Sequence, residues 1–189
     1  TTAVTTIDLS HQHLTRSSLS LLPPSLTCVD LSRCGLDGVG PLRRLVRLEL
    51  LNVSYNRLLN LDDLRHSTAL KVLYARSNKI ADVGGASTLV HLQSLDLECN
   101  RLTSLDALTP LWSCGALTEL RLRGNLVPYA GYKRECVTHL KQLKSLDGNS
   151  LTADPSDEPT AESEADDPGR SAQLMTEAVE RWQRVSGST

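Results

Sequence analysis

The chain has 189 residues, a formal net charge of −2 at pH 7, no Phe and an aromatic content of 3%. That length holds one or two domains, and any core must be built from aliphatic side chains. No apolar run is long enough to cross a bilayer, and the balanced charge does not point to a polyanion binder.

From the N-terminus onward the chain repeats. One copy reads Leu26-Thr-Cys-Val29-Asp-Leu31-Ser-Arg-Cys34-Gly-Leu36, and the next Leu48-x-x-Leu51-x-Val53-x-x-Asn56-x-Leu58. Two more begin at Leu70 and Leu92, each 22 residues on. An earlier copy starts near Val4, and a later one at Leu117. The pattern L-x-x-L-x-L-x-x-N-x-L is the leucine-rich repeat signature. Its x-L-x-L-x segment alternates with period two and predicts a short strand. One strand cannot bury its own apolar face, so the copies must stack into a solenoid. The fold class expected is α/β, with a parallel sheet on the concave face. Asn56, Asn78, Asn100 and Asn125 stand where the chain turns inward, and their amides can bond unpaired backbone groups there. Gln12 and Cys34 take that place in the first two copies, which predicts an irregular ladder at that end.

The second half of each copy keeps apolar residues three apart, as in Val39, Leu42 and Leu45, or Leu105, Leu108 and Leu111. This spacing predicts 3₁₀ or short helical turns on the convex side. The fifth copy runs to 25 residues. Its excess at 111–115 predicts a bulge or one more helical turn. Gly84-Gly85 is expected to loosen the convex side of the fourth copy.

After Asn125, the apolar positions Tyr132, Cys136, Val137, Leu140 and Leu143 have helical spacing and predict a C-terminal cap over the open end of the core. The run Pro128-Tyr129-Ala-Gly-Tyr132-Lys133-Arg134, continuing through Val137, Leu140 and Leu143 to Leu146-Asp147-Gly148, resembles the cap of the short-repeat intracellular leucine-rich repeat family. That family includes the axonemal dynein leucine-rich light chain with its ciliary and centrosomal relatives, the spliceosomal A-prime protein, and phosphatase regulatory subunits. The stretch at 51–56 with 69–80 is most similar to the dynein light chain, and 106–125 to the spliceosomal protein. Two positions depart from the family pattern: Leu126 stands for a Pro after Asn125, and Lys141 for a Pro after Leu140. The resemblance implies a non-catalytic scaffold in a larger assembly, cytoskeletal or ciliary first. The alternative is a ribonucleoprotein subunit clamping an RNA-binding protein. A phosphatase regulator is third. It also implies a cytoplasmic location, with the nucleus as the alternative.

Positions 3, 5, 7 and 8 of each copy are expected on the concave sheet. There Leu50, Tyr55, Val72 and Tyr74 form an apolar and aromatic patch, rimmed by Asn52, Arg76, Asp96, Glu98, Arg121 and Arg123. Apolar centres with polar rims are typical of protein interfaces. The competing reading is that Leu50 and Val72 merely pack as cross-strand neighbours, while Arg121 and Arg123 pair with Glu119 and Glu98.

Beyond the solenoid (1–151), residues 152–170 form an acidic linker; 152–169 carry seven acids and no bases, leaving about +5 on the remainder. Low hydrophobicity there predicts disorder. Residues 171–186 place Leu174, Met175, Ala178, Trp182 and Val185 on one side of an amphipathic helix, expected to contact the solenoid or a partner.

No catalytic constellation, phosphate loop or metal-ligand spacing stands out, so no enzyme activity, cofactor, metal or small-molecule substrate is expected. Basic residues are mixed with acids, which disfavours direct nucleic-acid binding. Five scattered cysteines without C-x-x-C fit a reducing compartment. The first residue is not Met, which leaves room for a preceding segment.

Overall fold

A computed structural model describes residues 5–151. The proposed linker and amphipathic helix, with Leu174, Met175, Ala178, Trp182 and Val185, lie outside the described residues.

Eight strands make one sheet in chain order: β1 (Thr6–Asp8), β2 (Cys28–Asp30), β3 (Leu50–Asn52), β4 (Val72–Tyr74), β5 (Ser94–Asp96), β6 (Glu119–Arg121), β7 (Ser145–Leu146) and β8 (Asn149–Ser150). All neighbours are parallel except β7 and β8. The repeat fixes the register directly. Val29 pairs with Leu51, Leu51 with Leu73, Leu73 with Leu95, and Leu95 with Leu120 across the longer fifth copy. These central residues point into the core and are at most 1% exposed.

The return path of each copy is short because 22 residues leave no room for a long helix. A brief α-helix, α1 (Arg16–Leu19), serves the first copy, with Thr15 capping it through Ser18 N–H. The next four use 3₁₀ turns at Gly40–Arg44, Asp62–Leu64, Gly84–Thr88 and Asp106–Ser113. Leu42, Leu64, Ala86 and Leu108 are buried beneath them. The fifth-copy excess is absorbed as further 3₁₀ winding.

The expectation for Gly84-Gly85 needs correction. Gly85 is buried, and a Cβ there would lie 2.1 Å from the Leu61 carbonyl oxygen. The glycine permits close backbone approach between neighbouring turns; it does not loosen them.

The asparagine ladder closes the opposite edge. Asn56 Oδ1 accepts from the N–H groups of Cys34 (3.1 Å) and Leu36 (2.9 Å), while its Nδ2 donates to Leu31 and Val53 carbonyls, both at 2.8 Å. Asn78 and Asn100 repeat the pattern. Cys34 approximates it with one donor, its thiol lying 3.1 Å from the Leu9 carbonyl. The preceding residue takes a left-handed conformation: His11, Arg33, Tyr55, Ser77 and Cys99 have φ between 54° and 60°, and Gly124 has 74°.

Helix α2 (Tyr129–His139) covers the last repeat, burying Tyr132 and Cys136. Tyr132 donates its hydroxyl to Asp147 Oδ2 at 2.5 Å, and Asp147 Oδ1 accepts Leu122 N–H at 2.6 Å. This ties the cap to the last full strand. Asp147 and Gly148, at φ 54° and 80°, make the tight β7–β8 turn. Val137, expected on the apolar side, is 45% exposed. It lies one position past Cys136, and one residue turns a helix by about 100°.

Removing Asn78 strands several buried backbone groups at once. Asn78→Ala should lower the unfolding free energy by about 3 kcal/mol, measured by urea denaturation. Gln12→Ala, at the equivalent exposed place in the first copy, should change it by less than about 0.5 kcal/mol.

Candidate functional site

The face of the sheet opposite the leucine core carries the candidate site, and its columns divide by role. Position 5 is mostly structural. Asp8 Oδ1 accepts Ser10 N–H (2.9 Å), Asp30 accepts Ser32 (2.7 Å), Asn52 accepts Ser54 (3.0 Å) and Asp96 accepts Glu98 (2.9 Å). Each is an Asx turn that ends a strand. Asn52 also donates to Asp30 Oδ2 at 3.0 Å. Asn52 is 0% exposed and Asp96 2%. Their expected place on a solvent-facing rim is therefore corrected: both are buried because their side chains serve the backbone two residues on. The signal was legible as Asp-Leu-Ser, Asn-Val-Ser and Asp-Leu-Glu at constant phase. Tyr74 interrupts this column with a phenol ring, which cannot close such a turn.

Position 3 shows a second difference. Alternation places Leu50 toward solvent, but it is 2% exposed. It is flanked in register by Cys28 and Val72, and apolar neighbours on both sides close over it. Val72 and Tyr74 are half-buried.

At position 7, Arg76 pairs with Glu98 across adjacent strands, with side chains only 13% and 12% exposed. Glu98 is therefore satisfied by Arg76 and not by Arg123. The Ser94 hydroxyl lies 3.3 Å from Glu119 Oε2. Arg121 is half-buried and Arg123 exposed; neither holds an ion pair among the described residues. At position 8, Tyr55 is half-buried and the Arg33 guanidinium sits 4.0 Å above its ring. Arg33 stands at position 8 of the preceding copy and was not singled out with Tyr55 from sequence. The 22-residue register alone brings them together.

The accessible centre is thus Tyr55, Val72 and Tyr74, with Arg33, Arg121 and Arg123 around it. Its chemistry is recognition by apolar, aromatic and cationic contacts. Burial raises the Asp30 carboxyl above its ordinary value. Burial also pushes the thiols of Cys28 and Cys114 up to about 11 and of Cys136 to about 12, so these are poor nucleophiles at neutral pH. Among the described residues no group of three His, Cys, Asp or Glu could hold a metal, and no helix is long and apolar enough to cross a membrane.

Comparison with known proteins agrees with this architecture. The model for leucine-rich repeats (2 copies) matches residues 68–110. Human serine/threonine-protein kinase 11-interacting protein is 37% identical over 127 residues, covering 65% of this chain and 12% of that protein. The geranylgeranyl transferase type-2 subunit alpha of Bos taurus is 41% identical over 112 residues, covering 59% and 19%. Rat leucine-rich repeat-containing protein 56 is 39% identical over 81 residues, covering 43% and 15%. The chain spans only 12% to 19% of the length of these relatives. Among solved structures, an internalin C2 from Listeria monocytogenes superposes with a TM-score of 0.67 at 25% identity, covering 76% of this chain and 60% of that one. A chain from the Drosophila melanogaster SNF/U2A′ complex gives 0.57 at 24%, covering 78% of each; this likeness is one of fold.

Two outcomes follow from the burial pattern. Of the five cysteines, only part-exposed Cys99 should react quickly with an aryl disulfide at pH 8, whereas all five should react in denaturant. For Asp30, the folded midpoint lies above the ordinary 3.8. Its proton therefore favours the folded state: the contribution is fully present below 3.8 and lost as pH rises through the folded midpoint. Carboxyl-carbon NMR should show Asp30 titrating above 3.8.

Proposed function

Because the chain is a leucine-rich repeat protein, we propose that it is a non-catalytic scaffold that grips a protein partner on its concave sheet. The observation that carries this reading is the accessible group Tyr55, Val72 and Tyr74 on a face otherwise committed to holding the fold. Neighbouring columns spend their polar atoms on Asx turns and on the Arg76–Glu98 pair. Tyr74 stands in the Asx-turn column with a ring in place of a turn-closing carboxyl or amide, and Tyr55 and Val72 lie in the columns beside it. Tyrosine supplies large contact area with few torsions to freeze, which suits a binding centre. Arg121 and Arg123 supply charge at one end, free of ion pairs among the described residues.

The preferred setting is a cytoskeletal or ciliary assembly in the cytoplasm, following the resemblance of 51–56 and 69–80 to the dynein light chain. The stretch 106–125 supports the second setting, a nuclear ribonucleoprotein in which the same face clamps an RNA-binding protein. A phosphatase regulatory role ranks third. In each, the partner is a protein.

Affinity capture with mass spectrometry tests this reading, using the full chain beside a Tyr55→Glu/Val72→Glu/Tyr74→Glu variant whose circular dichroism matches it. Selective loss of a partner is expected. A motor or tubulin-associated partner supports the first setting, an RNA-binding protein the second. Identical partners on both baits would remove the concave patch from consideration.

A further inference from the structure

A second surface lies where the convex turns lead back toward the strands. The first two turns contribute Arg43, Arg44, Val46 and Arg47, then Arg65, His66 and Thr68, all exposed. Spacing of 22 stacks Arg43 on Arg65, Arg44 on His66 and Val46 on Thr68, because β2 and β3 pair in that register. Residues 42–47 and 64–69 contain no acid.

The nearby carboxylates are already engaged. Asp62 accepts from Arg65 at 2.7 Å, Glu49 from Lys71 at 2.7 Å, and Asp63 accepts Val39 N–H at 2.8 Å. Arg44 donates to the Ser20 carbonyl at 2.6 Å. Arg43 and Arg47 have no ion pair or side-chain hydrogen bond among the described residues. Val46, beside Arg47 in sequence, is 65% exposed, and on the first copy Leu21 is 84% exposed.

We propose that this convex strip, with Arg43, Arg47 and Val46 at its centre, docks an acidic segment of a protein partner that carries apolar residues among its carboxylates. Guanidinium forks match carboxylates, and exposed Val46 offers an apolar contact on the same segment. Two other anionic partners fit less well. The strip has no Tyr, Trp or Phe for successive nucleic-acid bases to stack on, and His66 is its single ring. Its apolar residues are isolated on separate turns, whereas an interfacial membrane binder needs a continuous apolar face. The strip shares no residue with the concave group of Tyr55, Val72 and Tyr74.

The test is fluorescence anisotropy of the full chain with a fluorescein-labelled peptide of repeated Glu-Glu-Leu triplets. Salt-sensitive binding is expected. Arg43→Glu/Arg47→Glu should weaken it about tenfold, and Val46→Ser should weaken it at unchanged charge. Lys79→Glu/Arg101→Glu, an equal charge reversal elsewhere, should leave affinity near that of the unaltered chain. Circular dichroism establishes that each variant is folded. The proposal is overturned by no binding to the unaltered chain, by equal losses in both charge reversals, or by no loss in Val46→Ser. Tighter binding of an oligouridine strand or of phosphatidylserine vesicles to the same arginines would also overturn it.

Discussion

A chain that turns sharply every 22 residues leaves backbone N–H and C=O groups facing the interior at each turn, and they must be paired. The asparagine amide meets that requirement because it offers an acceptor and two donors in one short side chain. Asn56, Asn78 and Asn100 each join two neighbouring copies through it. The ladder fixes how far one copy lies from the next, and so the registers of the sheet and of the return turns. The residue before it is held in the left-handed region, at a cost of order 1 kcal/mol where it is not glycine. Tyr55 is one such residue, so the constraint that builds the fold also aims a candidate binding side chain.

That coupling explains how the concave face is divided. A short strand must end promptly, and an Asp or Asn two residues before the turn closes it. Such residues look like a polar recognition surface in a sequence but are internal fittings. Tyr55, Val72, Tyr74 and the arginines about them close no such turn and form the proposed contact surface. The proposed contact residues thus lie on the face that the turn-closing side chains also occupy. A partner could change through the tyrosine set while Asn52 and Asp96 stay fixed by the strand.

Much of the fold was legible in the sequence because period carries it. The strands, their register, the 3₁₀ turns, the asparagine ladder and the cap follow from apolar spacing and repeat phase. The site was less legible. Leu50 looks solvent-facing by alternation, but its neighbours in the sheet, Cys28 and Val72, enclose it. Asn52 and Asp96 look available because side-chain-to-backbone bonds do not alter periodicity. Charge sign alone pairs Glu98 with Arg123, whereas cross-strand geometry selects Arg76. Gly85 looks loose because close backbone approach leaves no trace in a hydrophobic pattern. In each case the deciding contact lies one repeat away or within the backbone.

If the proposed contact is right, the concave tyrosines touch the partner and the ladder edge does not. Site-specific photo-crosslinking reads this directly. A photoreactive phenylalanine would replace Tyr74 in one chain and exposed Lys79 in another, and partner adducts would be identified by mass spectrometry. Adducts from position 74 with none from position 79 are predicted. Equal yields from both positions, or adducts from position 79 alone, would rule out the concave tyrosines as the contact.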